Sequence, residues 1–239
     1  MAEAGDNHLL ETIKSIFVPI HPAGVPFIVI FSIVTAIMAY FSPFLGYIGI
    51  ILTLWCVYFF RNPARIVPLQ EGLIISPADG VVQKITTVVP PQELELGEEE
   101  RVRVSVFLNV FNVHVNRVPL SGKVTKLHYH KGLFLNANLD KASEDNERQC
   151  ITVEAPDGTK VGFVQIAGLV ARRILCELVP NQEVKVGDVF GLIRFGSRVD
   201  IYLPPHVQPQ VMIGQTMVAG ESIIADMKQP QGISTGRTC

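Results

Sequence analysis

Between Val25 and Phe60 the chain carries no charged residue, and that run leaves its N-terminal quarter few structures to adopt. Ser42-Pro43 divides it into Val25–Phe41 and Phe44–Phe60, each about 17 residues long, the short end of what crosses a hydrocarbon core as a helix. Pro43 lacks the N–H that would continue a helical ladder, so the run reads as a tight hairpin of two helices that spans or dips into a membrane. Tyr40, Trp55 and Tyr58 stand near the helix ends, where an interfacial aromatic belt would place them. The mean hydropathy of +0.33 owes its height to this stretch.

The flanks refine the expectation. No basic segment precedes the run and no small-residue cleavage motif follows it, so a cleaved signal peptide is not expected. Arg61 and Arg65 follow the second helix directly, which by the positive-inside tendency places the rest of the chain on the cytoplasmic side of the cell membrane. Upstream, Leu9, Leu10, Ile13, Ile16 and Phe17 recur at helical spacing and read as an amphipathic surface segment. Residues 1–66 are therefore expected to form a membrane unit, and 67–239 a separate domain.

After Pro68 the pattern becomes that of strands. Short β-branched runs (GLIIS, GVVQKITTVV, RVRVSVFLNV, GKVTKLHYH, CITVEA, VGFVQIAG, ARRILCELV) alternate with turn signals at Asp79-Gly80, Pro90-Pro91, Asp157-Gly158 and Pro180-Asn181. Asp157-Gly158 predicts a tight hairpin. Glu93–Glu100 reads as a solvated acidic loop, and the polar stretch Asn136–Arg148 as another. Residues 184–191 and 211–220 share a pattern of apolar residues, Gly-Asp or Gly-Gln, then a further glycine. Lipoyl- and biotinyl-carrier-related barrel-sandwich domains use such glycines at tight corners. The methionine-flanked carrier lysine is missing from both copies. The fold expected is thus mainly β and barrel-sandwich-like, without the carrier function.

Charge and cysteine usage exclude other classes. A net charge of −2 offers nothing to a polyanion, so nucleic acid is not an expected partner. Cys56, Cys150, Cys176 and Cys239 show no CxxC spacing, which argues against a thiolate zinc site and a disulfide framework; no metal is expected.

Gly196-Ser197 lies within Gly191–Tyr202, between two strand-like runs, and alone would be an ordinary turn dipeptide. Its neighbours raise its value. Phe195-Gly196-Ser197 resembles the self-cleavage site of the phosphatidylserine decarboxylases, in the short bacterial branch that has Phe-Gly-Ser where longer members have Leu-Gly-Ser. The resemblance extends to Ser76-Pro77-Ala78-Asp79-Gly80, to the histidine block Phe107–Pro119, to Lys131-Gly132-Leu133-Phe134 with Asn138, to Asn146-Glu147-Arg148, and to Phe59–Arg65. It covers nearly everything from residue 59 to about 225.

The resemblance implies a proenzyme cut between Gly196 and Ser197 into chains 1–196 and 197–239. Ser197 Oγ attacks the Gly196 carbonyl, exchanging amide for ester; β-elimination then breaks the chain. The dehydroalanine left behind hydrolyses to a pyruvoyl group, the covalent cofactor. Glycine at 196 lets the backbone expose that carbonyl. The ketone can then condense with a substrate amine and take up the electron pair released with CO2.

By the same resemblance, Asp79 and His114 join Ser197 as catalytic residues, with the acid expected to orient the histidine. Longer members have a second histidine where Arg117 stands here. Either His114 serves both cleavage and later protonation, or His128 or His130 folds back toward Ser197. Arg172 and Arg173, adjacent on an expected strand, point to opposite faces; one is a candidate to hold the phosphodiester or carboxylate of the substrate, and both are equally readable as surface residues. Arg117 carries the same two readings.

The expected partners are a membrane phospholipid and the two cleavage fragments as a heterodimer, with further oligomerisation open. Decarboxylation of an archaeal-type serine ether lipid is a close alternative. A non-catalytic membrane-anchored adaptor is the alternative from a different class.

Overall fold

The computed structural model describes residues 18–132, 146–168, 173–194 and 197–228. The amphipathic segment expected over Leu9–Phe17 lies outside them. The chain divides into two compact units after Ala64.

The first unit is built on two antiparallel helices, α1 (Val25–Phe41) and α2 (Pro43–Phe59). Pro43 occupies the first turn of α2, where its missing N–H costs nothing, and Ser42 takes an extended conformation that turns the chain back. The helices meet on small residues. A Cβ added to Gly46 would sit 2.8 Å from Ala39 Cβ, and one added to Gly49 2.7 Å from Thr35 Oγ1. Thr35 and Thr53 hydroxyls share a hydrogen bond of 2.9 Å between the helices. Close backbone approach with a polar tie is how helices associate where no water drives them together. No residue of α1 is buried. With its preceding 3-10 turn, α1 makes a 20-residue apolar helix, long and apolar enough to cross a membrane by length and composition. Arg61 stacks on the Tyr58 ring, 3.5 Å from its centroid.

Among the described residues the second unit contains thirteen strands. They are β1 (Leu73–Ile75), β2 (Gly80–Val88), β3 (Arg101–Leu108), β4 (Val115–Arg117), β5 (Gly122–His130), β6 (Arg148–Glu154) and β7 (Lys160–Ala167), followed by β8 (Ile174–Cys176), β9 (Glu183–Val184), β10 (Val189–Ile193), β11 (Ser197–Tyr202), β12 (Thr216–Met217) and β13 (Ile223–Asp226). With 38% strand against 21% helix, the protein is mainly β, as expected. Eight strands form one curled half-barrel sheet in the order β12-β2-β3-β11-β7-β6-β5-β9. A three-stranded sheet β4-β10-β8 and the pair β1-β13 complete the unit. The β6–β7 hairpin turns at Asp157-Gly158, with Gly158 at φ +84°.

The large sheet has two buried faces. One carries Leu108, Ala167, Val199 and Ile201 into the main core. The other packs Cys150, Val164, Ile166 and Tyr202 under Leu94 and Leu96. That second layer corrects the reading of Glu93–Glu100 as merely solvated. A 3-10 turn at Gln92–Leu94 folds the stretch back, Leu94 is fully buried, and its carbonyl accepts a 2.7 Å bond from Thr152 Oγ1. Glu95 and Glu98–Glu100 stay outside while Leu94 and Leu96 close a core. Asn136–Arg148 is corrected at its end as well: Asn146, Glu147 and Arg148 are buried and open β6, while 133–145 lie outside the described residues. Arg173 precedes β8 rather than lying within it, and Arg172 is not among the described residues.

Candidate active site

Ser197 is the first residue of β11, a central strand flanked by β3 and β7, where it faces Leu108 and Ala167. Facing residues of an antiparallel ladder share a side, so the hydroxyl points toward the main core. Ser197 is fully buried, and among the described residues its Oγ has no hydrogen-bond partner. An orphaned buried hydroxyl costs on the order of 1–3 kcal/mol and asks for a reason. The preceding strand, β10, belongs to the three-stranded sheet, so the backbone changes sheets between Ile193 and Ser197. Gly196 itself lies outside the described residues.

The histidine block reaches the same place. β4 pairs with β10, Leu192 facing Val115, and Ile193 N–H donates to the His114 carbonyl at 3.4 Å. His114 is buried, and its Nδ1 lies 3.0 Å from the Asn112 carbonyl. A carbonyl only accepts, so Nδ1 carries a proton in this contact, and in the neutral ring Nε2 is then the basic nitrogen. Asn112 belongs to a loop that Asn109 closes on itself: Asn109 N–H donates to Asn112 Oδ1 and Phe111 N–H to Asn109 Oδ1, both at 2.8 Å.

Asp79 is placed differently from the expectation that it orients His114. Its carboxylate takes two bonds from Arg65 Nη2, at 2.9 and 2.7 Å, and one from Ala219 N–H at 2.7 Å. The next residue, Gly80, opens β2 so close to β3 that an added Cβ would lie 2.1 Å from the Phe107 carbonyl oxygen. Asp79 therefore stands at the same end of the sheet as Ser197, with β3 between them. Two strand spacings amount to roughly 10 Å. The ring of His114 is oriented by Asn112, and the acid is committed to an arginine.

Arg117 joins the Asp79 group. Its Nη1 donates to the Gly187 carbonyl at 2.9 Å, and its aliphatic stem fills the space that a Cβ on Gly220 would need. Burial, then the nearby Arg65 charge, lowers the pKa of its guanidinium, while Asp79, Glu221 and Asp188 oppose the shift. Where a second histidine was expected, the fold has an arginine bonded to a backbone carbonyl with the Asp79 carboxylate nearby.

Arg173 is exposed, and its carbonyl accepts from Arg194 N–H at 3.2 Å. Arg194 is a basic residue that the motif reading passed over, though it precedes Phe195-Gly196-Ser197 directly. Burial, and then the Arg173 charge, lowers its pKa, as befits a partly desolvated cation beside another. Two more residues serve the site from below. Asn146 Nδ2 donates to the Ala167 carbonyl at 2.7 Å, and the Glu147 carbonyl accepts Ala167 N–H at 2.9 Å. They hold the end of β7 that faces Ser197. His128 and His130 do not fold back toward Ser197. Following the register from His130 through Arg148 and Ile166 to Arg198 crosses three strand spacings, about 14 Å, on the opposite face of the sheet.

The family model for phosphatidylserine decarboxylase matches residues 52–225. The chain belongs to the phosphatidylserine decarboxylase family. It is similar to the phosphatidylserine decarboxylase proenzymes of Rickettsia akari, 56% identical over 89% of this chain and 92% of that one, and of Rickettsia felis, 54% identical over 91% and 94%. The Rickettsia prowazekii proenzyme is similar to the same degree as the latter, over the same shares of both chains. The match with the family model takes in Asp79, His114, Arg117, Arg173, Arg194 and Ser197 together.

Proposed function

We propose that this chain is a proenzyme that cuts itself between Gly196 and Ser197 and then decarboxylates phosphatidylserine to phosphatidylethanolamine. The observation that carries the reading is the Ser197 hydroxyl: buried, without a partner among the described residues, and at the point where the backbone passes from one sheet to another. Ser105 Oγ on β3 is likewise without a partner among the described residues, so it is the place of Ser197 at the sheet change that sets it apart.

The residues around it fit a pyruvoyl group derived from Ser197. Once formed, its carbonyl supplies an electron sink for loss of CO2 from an amine-bearing substrate. The chain's own groups do the rest. Before cleavage, Ser197 Oγ gives up its proton as it attacks the Gly196 carbonyl, and His114, whose carbonyl accepts from Ile193 N–H a few residues before the cut, is the candidate base. After cleavage the same nitrogen is suited to return a proton to the decarboxylated carbon. Arg194 and Arg173 supply positive charge for the phosphodiester or carboxylate of the headgroup, and Arg172 adjoins them in sequence. Asp79, with Arg65 and Arg117, braces the turn into β2 rather than moving a proton.

The fragments 1–196 and 197–239 would remain together as a heterodimer. Strand β11 is inserted between β3 and β7, with all six of its residues paired on both sides. β12 and β13 add pairs with β2 and β1. Attachment of α1 and α2 to the cell membrane, with the β unit on the cytoplasmic side, brings the site to its lipid substrate.

Intact mass measurement tests the reading. Purified protein should give two fragments, 1–196 and 197–239, the smaller one with a blocked pyruvoyl N-terminus, and should release CO2 from phosphatidylserine. A single chain with an unmodified Ser197 would sink the proposal.

A further inference from the structure

Strand β5 ends in His128-Tyr129-His130, and both histidines project to the face of the sheet that carries Cys150 and Ile166. The 3-10 turn at Gln92–Leu94 lies over that face and brings Glu93 to them. One ligand atom from each of Glu93, His128 and His130 lies within 4.8 Å of the other two. From this convergence we propose a binding site for a zinc-class divalent transition metal, formed by two imidazoles and one carboxylate and separate from the Ser197 chemistry.

Two nitrogens and an oxygen suit zinc or cobalt better than the oxygen-seeking magnesium and calcium. Four-coordinate zinc with bonds near 2.0 Å needs its ligand atoms about 3.3 Å apart. Reaching that from 4.8 Å takes a shift of about 1 Å in side chains that are half-buried or exposed. The supporting shell is in place. Arg148 Nη2 donates to Glu93 Oε1 at 2.6 Å and holds the carboxylate beside the two histidines. Arg148 also sets a positive charge nearby, offset by that same carboxylate. Lys126 on β5 pairs with Glu95 and, with the bond from Thr152 on β6 to Leu94, fixes the turn over the two strands. Three protein ligands leave a fourth position for water.

The site lies about 14 Å from Ser197 and on the other face of the sheet. Its effect would be mechanical. The metal would clasp the β2–β3 connection to β5, whose outer edge at His128–His130 has no strand beside it among the described residues. The expectation of no metal rested on cysteine spacing, which says nothing of a histidine–carboxylate set.

The experiment uses tag-free, full-length protein stripped with a chelator and titrated with Co2+ and then Zn2+. Wild type should bind about one ion per chain, give the visible band of four-coordinate cobalt, and melt at higher temperature with zinc. His128→Gln, His130→Gln and Glu93→Gln should each weaken binding by about tenfold or more, with CO2 release from phosphatidylserine unchanged in His128→Gln. No binding, a six-coordinate cobalt spectrum, or equal affinity in wild type and His128→Gln would overturn the site. A second measurement needs no variant: zinc should protect His128 and His130 from carbethoxylation, read by peptide mass. Equal modification with and without zinc would overturn it too.

Discussion

Gln165 on β7 donates from Nε2 to Asn116 Oδ1 on β4 at 2.8 Å, and both side chains are fully buried. This bond ties the large sheet, where Ser197 sits, to the small sheet that carries the histidine block. Asn116 Nδ2 continues to the Pro77 carbonyl at 3.4 Å, two residues before Asp79. Three separate stretches of sequence are thereby held around one point.

Replacing Gln165 by Leu strands the Asn116 acceptor. In an uncut Ser197→Ala background, where the chain stays whole and a single unfolding transition is defined, urea denaturation should show a loss of about 1–3 kcal/mol. In the otherwise unaltered protein the same change should slow self-cleavage, followed by the time course of fragment appearance. Unchanged stability and unchanged cleavage would remove the bond from any positioning role.

His114→Ala should lower decarboxylation by about 10²–10⁴-fold in material that has been cut, measured as CO2 release from phosphatidylserine vesicles. Whether cleavage also fails decides if one histidine serves both steps. Normal cleavage together with normal turnover would exclude His114 from the chemistry.

Arg65 and Asp79 should show strong coupling. Their side chains are only 12% and 14% exposed, and the nearest pair of atoms is 2.7 Å apart. A double-mutant cycle with Arg65→Met and Asp79→Asn, again in the Ser197→Ala background, should return an interaction of about 1–3 kcal/mol. A cycle that closes to zero would show that Asp79 is held by its backbone bond to Ala219 alone.

Burial, with Glu93 as the next cause, pushes the Cys150 thiol up to about 12. The folded protein therefore keeps this proton where the unfolded chain, near its ordinary value of about 8.5, loses it. The unfolded state binds fewer protons between those values, so the contribution of Cys150 is intact below about pH 8.5 and falls as pH rises toward 12. Stability of the uncut Ser197→Ala chain should drop with pH above 9, by up to about 1.4 kcal/mol per unit from this group. The drop should be shallower in Cys150→Ala, and at pH 8 Cys150 should resist alkylation until urea unfolds the chain. Equal slopes in both proteins would exclude the thiol as the cause.

What could be read in advance follows local rules. The uncharged run and Pro43 leave a helix pair as the natural solution, and alternation with turn residues marks β2, β3, β5, β6 and β7 nearly in place. Asp157-Gly158 announces its own hairpin, because a two-residue turn needs a residue at ease with positive φ. The candidate cleavage residue was legible for another reason: Phe195-Gly196-Ser197 and the histidine block are contiguous words, each readable without knowing what lies opposite.

Pairings between distant words were not legible. Leu94 and Leu96 looked like incidental apolar residues in an acidic loop, since nothing local reveals that the far face of a sheet needs covering. Asp79 was expected to serve His114, yet its partners are Arg65, fourteen residues earlier, and the backbone of Ala219. Glu93 meets His128 and His130 only because a 3-10 turn folds over β5.

By itself, the sequence determined the apolar hairpin and the β character of the remainder and marked Ser197 as the candidate cleavage residue, because helix length, strand period and turn chemistry act over a few neighbouring residues. The tertiary structure alone decided that Asp79 takes Arg65 and the Ala219 N–H, and that the Ser197 hydroxyl is buried without a partner among the described residues. Those outcomes depend on strand order and register, and they bring together residues as much as 140 positions apart, like Asp79 and Ala219.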